Sequence, residues 1–282
     1  MFEHIAVALD LSPAADSMLR CLPSLRELGT RRLTLVHVAE VEYPVFGGVA
    51  HLDRHRERLA SAAASLEEEG FTVNVVAGVG SPAAEILKAA GAVGASMVMV
   101  GSRSHSRVRE AFVGSVASEV TRRATLPVLV QRIEPQGEDG PPVASCFDRT
   151  TEVLVPTDFS QGAERALPLV ESLVRAGLRS VTLLHVRGEE AAEGGSFGPA
   201  GRDGLEGLAE RLREGGAGAV QVVVTTGKVA DEILRQAGLH SQTLIVMGTH
   251  GRGRAARAVL GSVSREVLRE APGWVLLAPP RA

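Results

Sequence analysis

Leu244-Ile245-Val246-Met247-Gly248-Thr249-His250-Gly251, nine residues, then Gly261-Ser262-Val263-Ser264-Arg265-Glu266-Val267: this stretch decides how the chain is read. Four large apolar residues in a row are too few for a buried helix and suit a strand covered on both faces. A glycine loop follows, and then a segment with the period of an amphipathic helix. A strand, a glycine loop and a helix N-terminus are the parts from which anion sites are built. The N-terminal half has the same layout: Met97–Val100, then Gly101-Ser102-Arg103-Ser104, nine residues, then Gly114-Ser115. The offset is 147 residues in both places, 248 against 101 and 261 against 114.

Working outward, the repeat extends through the chain. Val153-Leu154-Val155-Pro156-Thr157-Asp158 answers the opening strand that ends at Asp10, and Val181–Val186 answers Leu33–Val38. Gly227-Lys228-Val229-Ala230-Asp231-Glu232 answers Gly80-Ser81-Pro82-Ala83-Ala84-Glu85. The spacing predicts helices from Pro13 to about Leu28, over about 50–69, from Ser81 to about Gly91 and from Gly114 to about Arg123. Two domains follow, 1–132 and 151–282, joined by a linker at 133–150 that carries Pro135, Gly137, Gly140, Pro141 and Pro142. Short apolar strands alternating with helices predict an α/β fold in each half, a parallel sheet with helices on both faces. Such sheets bind ligands beyond the carboxyl ends of their strands. Asp10, Val38 and Gly101 fall there, as do Asp158, Val186 and Gly248.

Composition narrows the function. Hydrophobic residues make up 45% of the 282 and aromatics 3%, so two cores of Val, Leu, Ile and Ala are affordable. A net charge of −3 gives no electrostatic support for a nucleic-acid partner. No apolar run approaches the roughly 20 residues of a membrane span, and the first residues have no signal-peptide layout. The two cysteines, Cys21 and Cys146, form no recognisable framework, and Cys21 reads as an inert residue among apolar helix neighbours. A reducing cytoplasm is the expected location.

Several motifs have two readings. Asp10 and Asp158 are either helix N-caps or ligand acceptors, freed from capping by Ser12 and Ser160. Gly78-x-Gly80-x-x-Ala83 resembles a dinucleotide fingerprint but follows the third strand, so it reads as a turn. Gly227-Lys228 lacks the glycine and the Ser/Thr of a P-loop. His51 and His55 lie one helical turn apart, as zinc ligands or, the plainer reading, on a solvated face. His37 and His185 read as packing near a site, and His105 and His250 as loop residues within reach of a ligand.

The spacing Gly-x2-Gly-x9-Gly-[Ser/Thr] after a fourth strand, with an Asp ending the first, resembles the universal stress protein family over nearly the whole chain, as two tandem domains. The resemblance implies Rossmann-like domains, each with a five-stranded parallel sheet. It also implies a site for ATP, with Mg²⁺ carried on the phosphates. In the second half the implied site comprises Pro156, Thr157, Asp158 and Val186. It continues with Met247, Gly248, Gly251, Arg252 and Gly253, and then Gly261, Ser262, Val263 and Ser264. In the first half it comprises Asp10, Val38, Gly101, Ser102, Ser104, Gly114 and Ser115. Ser104 stands where the motif has its middle glycine. A Cβ there costs on the order of 1 kcal/mol if the backbone must be left-handed. Gly248 and Gly251 are expected to supply positive φ and close phosphate approach. Arg252, Arg254 and Arg257, and in the first half Arg103, Arg107 and Arg109, add positive charge.

The resemblance further implies pairing between the last strands, Leu126–Val130 and Trp274–Leu277, and a homodimer of two chains. The expected function is a nucleotide-dependent stress or signalling regulator with an unidentified protein partner. A slow ATPase or phosphotransferase and a nucleotide-free interaction module are the alternatives. No P-loop lysine, evident general base or carboxylate pair supports catalysis.

Overall fold

A computed structural model describes residues 1–40, 48–102, 113–134, 142–148, 150–188, 199–240, 243–250 and 260–280. The chain divides into two compact units, Met1–Cys146 and Phe147–Ala282.

The first domain runs β1 (His4–Ala8), α1 (Pro13–Cys21), β2 (Arg32–Ala39), α2 (Gly48–Glu68), β3 (Thr72–Val79), α3 (Pro82–Ala92), β4 (Met97–Gly101), α4 (Ser115–Arg123) and β5 (Val128–Gln131). All strand pairs are parallel, in the order β3-β2-β1-β4-β5. The central strands are sealed on both faces: Ile5, Ala6 and Val7 of β1 and Val98 and Met99 of β4 are fully buried. The chain order reverses between β1 and β4, so the loops after these strands open the crevice where such sheets hold ligands.

The second domain repeats the plan with β8 (Glu152–Pro156), α5 (Gln161–Glu164), α6 (Leu167–Ala176), β9 (Ser180–Arg187), α7 (Pro199–Glu214), β10 (Ala219–Thr226), α8 (Val229–Ala237), β11 (Thr243–Gly248), α9 (Ser262–Glu270) and β12 (Trp274–Ala278). Its parallel order is β10-β9-β8-β11-β12. A buried polar pair crosses the start of each sheet: His4 Nε2 with Thr34 Oγ1 at 2.9 Å, and Thr182 Oγ1 donating to Glu152 Oε1 at 2.6 Å.

Three local features differ from the sequence expectation. The helix predicted from Pro13 to Leu28 ends as an α-helix at Cys21 and continues as a 3₁₀ stretch, Leu22–Leu28. Pro23 has no amide to bond back to Leu19, so the chain tightens to i→i+3 bonding. Part of the expected linker is ordered as an antiparallel pair, β6 (Ile133–Glu134) and β7 (Val143–Ala144). The cysteines, expected to be unconnected, form a disulfide, Cys21–Cys146, across 125 residues with Cα atoms 4.8 Å apart. No short spacing announces such a bond; the fold creates it by laying β7 against α1. Among the described residues, no helix is long and apolar enough to cross a membrane.

Candidate functional site

The loop after the first strand has the same construction in both domains. Asp10 Oδ1 accepts from Ser12 N at 3.0 Å and Ser12 Oγ at 2.6 Å, and Asp158 Oδ1 accepts from Ser160 N at 3.0 Å. The serines are the helix caps: Ser12 Oγ accepts from Ala15 N, and Ser160 Oγ from Ala163 N. Neither aspartate caps a helix, and both line cavities at the strand ends. Each residue between Asp and Ser is left-handed, Leu11 and Phe159, both at φ 59°. Neither is glycine or asparagine, so no residue type announces this conformation.

A histidine from the second strand braces each loop. His37 Nδ1–H donates to Leu9 O and His185 Nδ1–H to Thr157 O, both at 2.8 Å. In the first domain this leaves His37 Nε2 to accept from His55 Nδ1–H at 3.0 Å. His55 was expected on a solvated face. It is instead turned inward from α2 and lines the cavity beside His37. In the second domain the ring of Phe159 lies near His185, with centroids 5.3 Å apart.

Opposite these loops stand the glycine loops and the helices after them. Gly114 N donates to Ser102 O at 2.8 Å, and Gly261 N to Thr249 O at 2.9 Å. Gly114 and Gly261 begin α4 and α9 with no side-chain cap bond. The first-turn amides and the positive helix end therefore face the crevice uncapped by a side chain. Gly248 is not left-handed, contrary to expectation. Its requirement is space: a Cβ there would overlap the carbonyl of Gly162 in α5. Positive φ falls instead on Gly80 and Gly227, at 150° and 152°, which form the turns that the sequence suggested.

These elements enclose one cavity in each domain. The second-domain cavity is about 380 Å³ and brings together Pro156, Asp158, Val186, Met247, Gly248, Gly261, Ser262, Val263 and Ser264. Ser264 Oγ also donates to Gly248 O at 3.0 Å, fixing α9 to the strand end. Thr157 does not line this cavity; it borders a neighbouring one with Phe159, Leu208 and Arg211. The first-domain cavity, about 650 Å³, brings together Asp10, Val38, Gly101, Gly114 and Ser115. Ser102 is buried beneath it, and its Oγ accepts from Ile133 N at 3.1 Å. Ser104, Gly251, Arg252 and Gly253 lie outside the described residues, as do His105 and the other loop arginines named above.

Some lining residues escaped the sequence reading. Glu40, Met18 and His55 line the first cavity, and Ala163, Val229 and Ile233 the second. Ala163 and the apolar α8 residues follow from helix periodicity; His55 had no signal beyond the helical spacing. His250 lines the second cavity. Thr249 Oγ1 donates to Ala278 O at 3.4 Å, so His250 Nδ1–H donates to Thr249 Oγ1 at 3.0 Å. His250 Nε2 is then an acceptor, buried and without a protein partner among the described residues. Lys228 is engaged elsewhere. It bridges Asp231 at 3.1 Å and Glu266 at 2.5 Å, and the Glu266 hydrogen bond, with that of Asp231, holds the ammonium above its usual pKa. The described residues contain no group of three or more His, Cys, Asp or Glu that could hold a metal.

Comparison with known proteins bears on the family and the fold. A Mycobacterium tuberculosis universal stress protein is 30% identical over 295 residues, covering 97% of this chain and 95% of its own length. A Mycolicibacterium smegmatis universal stress protein is 27% identical, covering 98% and 97%. The crystal structure of an Archaeoglobus fulgidus universal stress protein superposes over 100% of both chains with a TM-score of 0.77 at 22% identity. The model of the Universal stress protein family matches twice, at residues 1–132 and 150–279, and the chain belongs to that family as a tandem pair of its domains.

Proposed function

We propose that the chain binds an adenine nucleotide, ATP, at the carboxyl end of each sheet and acts as a nucleotide-dependent regulator of the stress response. The observation that carries this reading is the convergence in the second domain of Asp158, Val186, Gly248, Gly261 and Ser262 on one cavity. Its volume falls within the roughly 300–1,000 Å³ usual for small-molecule sites. The chemistry suits the ligand from end to end. The uncapped amides of α9 and the Ser262 hydroxyl donate to phosphate oxygens. The Asp158 carboxylate accepts from ribose hydroxyls, and the end of β9 at Val186 offers main-chain groups to the base. The buried His250 Nε2 is a further acceptor for a hydroxyl or amino group. Mg²⁺ belongs to the same proposal as a companion of the phosphates, with water completing its shell. Self-association of two chains and a protein partner that reads nucleotide occupancy complete it.

The test is calorimetric titration of nucleotide-stripped protein with Mg-ATP. One or two sites per chain is the expected result. No heat at several temperatures, together with no nucleotide in freshly purified protein, would overturn the proposal. Steady release of phosphate during the same incubation would add hydrolysis to binding.

A further inference from the structure

The disulfide belongs to the first domain alone and connects two very different environments. Cys21 is the last residue of α1 and is 1% exposed. Cys146, just beyond β7, is exposed to solvent. Around the bond, hydrogen bonds also tie residues 142–146 to the domain. Ser17 Oγ donates to Pro142 O, Gln131 Nε2 donates to Ser145 O at 3.1 Å, and β7 pairs with β6 over two residues. At the position matching Cys21 in the second domain stands Leu169, buried without a covalent partner.

The same helix forms a wall of the first cavity. Ala15 and Met18 line it, and Cys21 follows one turn after Met18. At its other end α1 is capped by Ser12, which also binds Asp10. The helix is therefore held at its N-terminus by the site loop and at its C-terminus by the disulfide.

We propose that Cys21–Cys146 is a thiol–disulfide exchange site, addressed by small thiols from the side of the exposed residue Cys146, and that its state sets how firmly α1 forms the first cavity. An incoming thiolate attacks Cys146 Sγ, forms a mixed disulfide there and expels Cys21 as a thiolate, which takes up a proton. A second thiolate attacks the small-molecule sulfur of the mixed disulfide. It releases the oxidised small disulfide and leaves Cys146 as a thiolate, which is protonated in turn. Two electrons enter the protein, two small thiols become one disulfide, and the same disulfide reverses the sequence. Reduction leaves residues 142–146 tied to α1 by the Ser17–Pro142 hydrogen bond and by β7 packing alone, so the C-terminal end of this cavity wall is held less firmly and must be ordered further when a ligand binds. The oxidised chain is the tighter binder at the first site. This last step rests on the nucleotide reading above, whereas the exchange does not.

The experiment uses the full chain equilibrated in mixtures of reduced and oxidised glutathione. Free thiols are trapped with an alkylating agent and counted by intact mass, and hydrogen exchange is followed over α1 and residues 142–148. Expected is loss or gain of both thiols together, with exchange in α1 and 142–148 faster in the reduced chain. ATP titration of the two states should show first-site affinity about fivefold or more weaker after reduction, the lower end of ordinary coupling between sites. Cys146→Ser should match the reduced chain under both conditions. Two thiols that stay free in oxidised glutathione would overturn the exchange site. Reversible exchange with unchanged hydrogen exchange in α1 would overturn the coupling. If no nucleotide binds in either state, the functional proposal fails, while thiol counting and hydrogen exchange still decide this one.

Discussion

Replacing Gly162 by alanine tests the geometry of the second cavity. Gly162 lies in α5, and its backbone touches both the start of the glycine loop and the end of β11. A Cβ at Gly162 would overlap the His250 carbonyl oxygen and stand 2.9 Å from the His250 carbonyl carbon. Carbon atoms prefer about 3.5–4.0 Å, so the loop must retreat by at least ~0.6 Å for the carbon and further for the oxygen. Both neighbours are main chain, with no side-chain rotamer to absorb the strain. Such overpacking costs about 1–3 kcal/mol. Gly→Ala gains at most ~1 kcal/mol of helix propensity, and less in a single-turn helix. The net is a destabilisation of about 0–3 kcal/mol, with weaker nucleotide binding because the displaced atoms border the cavity. Helix propensity alone predicts the opposite sign for stability.

The chain supplies its own probe. Trp274 is its single tryptophan. It is 3% exposed in β12 of the second domain and packs against Phe147 at 6.2 Å between ring centroids. Its fluorescence during urea titration therefore follows the second domain. Gly162→Ala should lower the urea midpoint, or leave it level, and reduce ATP affinity. Gly248→Ala, which presses on the same contact from the other side, should combine with it non-additively. A raised midpoint together with unchanged affinity would refute the close approach of α5 to the loop.

Three further outcomes are expected. Asp158→Ala should weaken ATP binding by about 1–3 kcal/mol, since it strips an acceptor from the cavity; unchanged affinity in calorimetry removes Asp158 from the site. Reducing Cys21–Cys146 opens a ring of 125 residues, worth about 4–5 kcal/mol to the first domain by chain entropy, seen as an earlier urea transition by circular dichroism. Burial, and then the charge of Arg32, hold the His4 pKa below its ordinary 6.5. Between that lowered value and 6.5 the unfolded chain binds more protons, so stability rises with pH through the window and is lost as pH falls. Urea midpoints at about pH 5 and pH 7.5 should converge in His4→Gln relative to the parent chain.

The repeat, the parallel sheets and the strand-end residues that line the two cavities were legible because each rests on local pattern. Apolar runs give the strands, and spacing gives the loops. What was illegible depends on distant residues meeting. Cys21 and Cys146 carry no signal at their separation. His55 was assigned to solvent because its own helix has a polar face there, and only the approach of β2 brings it to His37. Gly248 was expected to supply positive φ, which it does not. Its side-chain-free position serves a backbone contact with Gly162, which lies 86 residues earlier in the chain.

The two copies also show which features the site cannot give up. The residue after each aspartate has become leucine in one and phenylalanine in the other, yet both hold φ 59°. For such residues the left-handed region costs roughly 1–2 kcal/mol, and an Asn or Gly would relieve it. The surrounding bonds explain why the conformation persists. The serine after each strained residue binds the aspartate, and a histidine from the next strand grips the carbonyl of the residue before it. Together they fix the carboxylate at the cavity wall, and backbone strain held by such bonds clusters at functional sites. What differs between the copies is the space around this frame. Ala14 stands in the first domain where Gly162 stands in the second. A methyl at Gly162 would overlap the His250 carbonyl, whereas Ala14 carries one. The first-domain cavity is the larger, about 650 Å³ against 380 Å³. A shared aspartate frame with unequal cavities predicts two sites that differ in affinity, with the aspartate required in both.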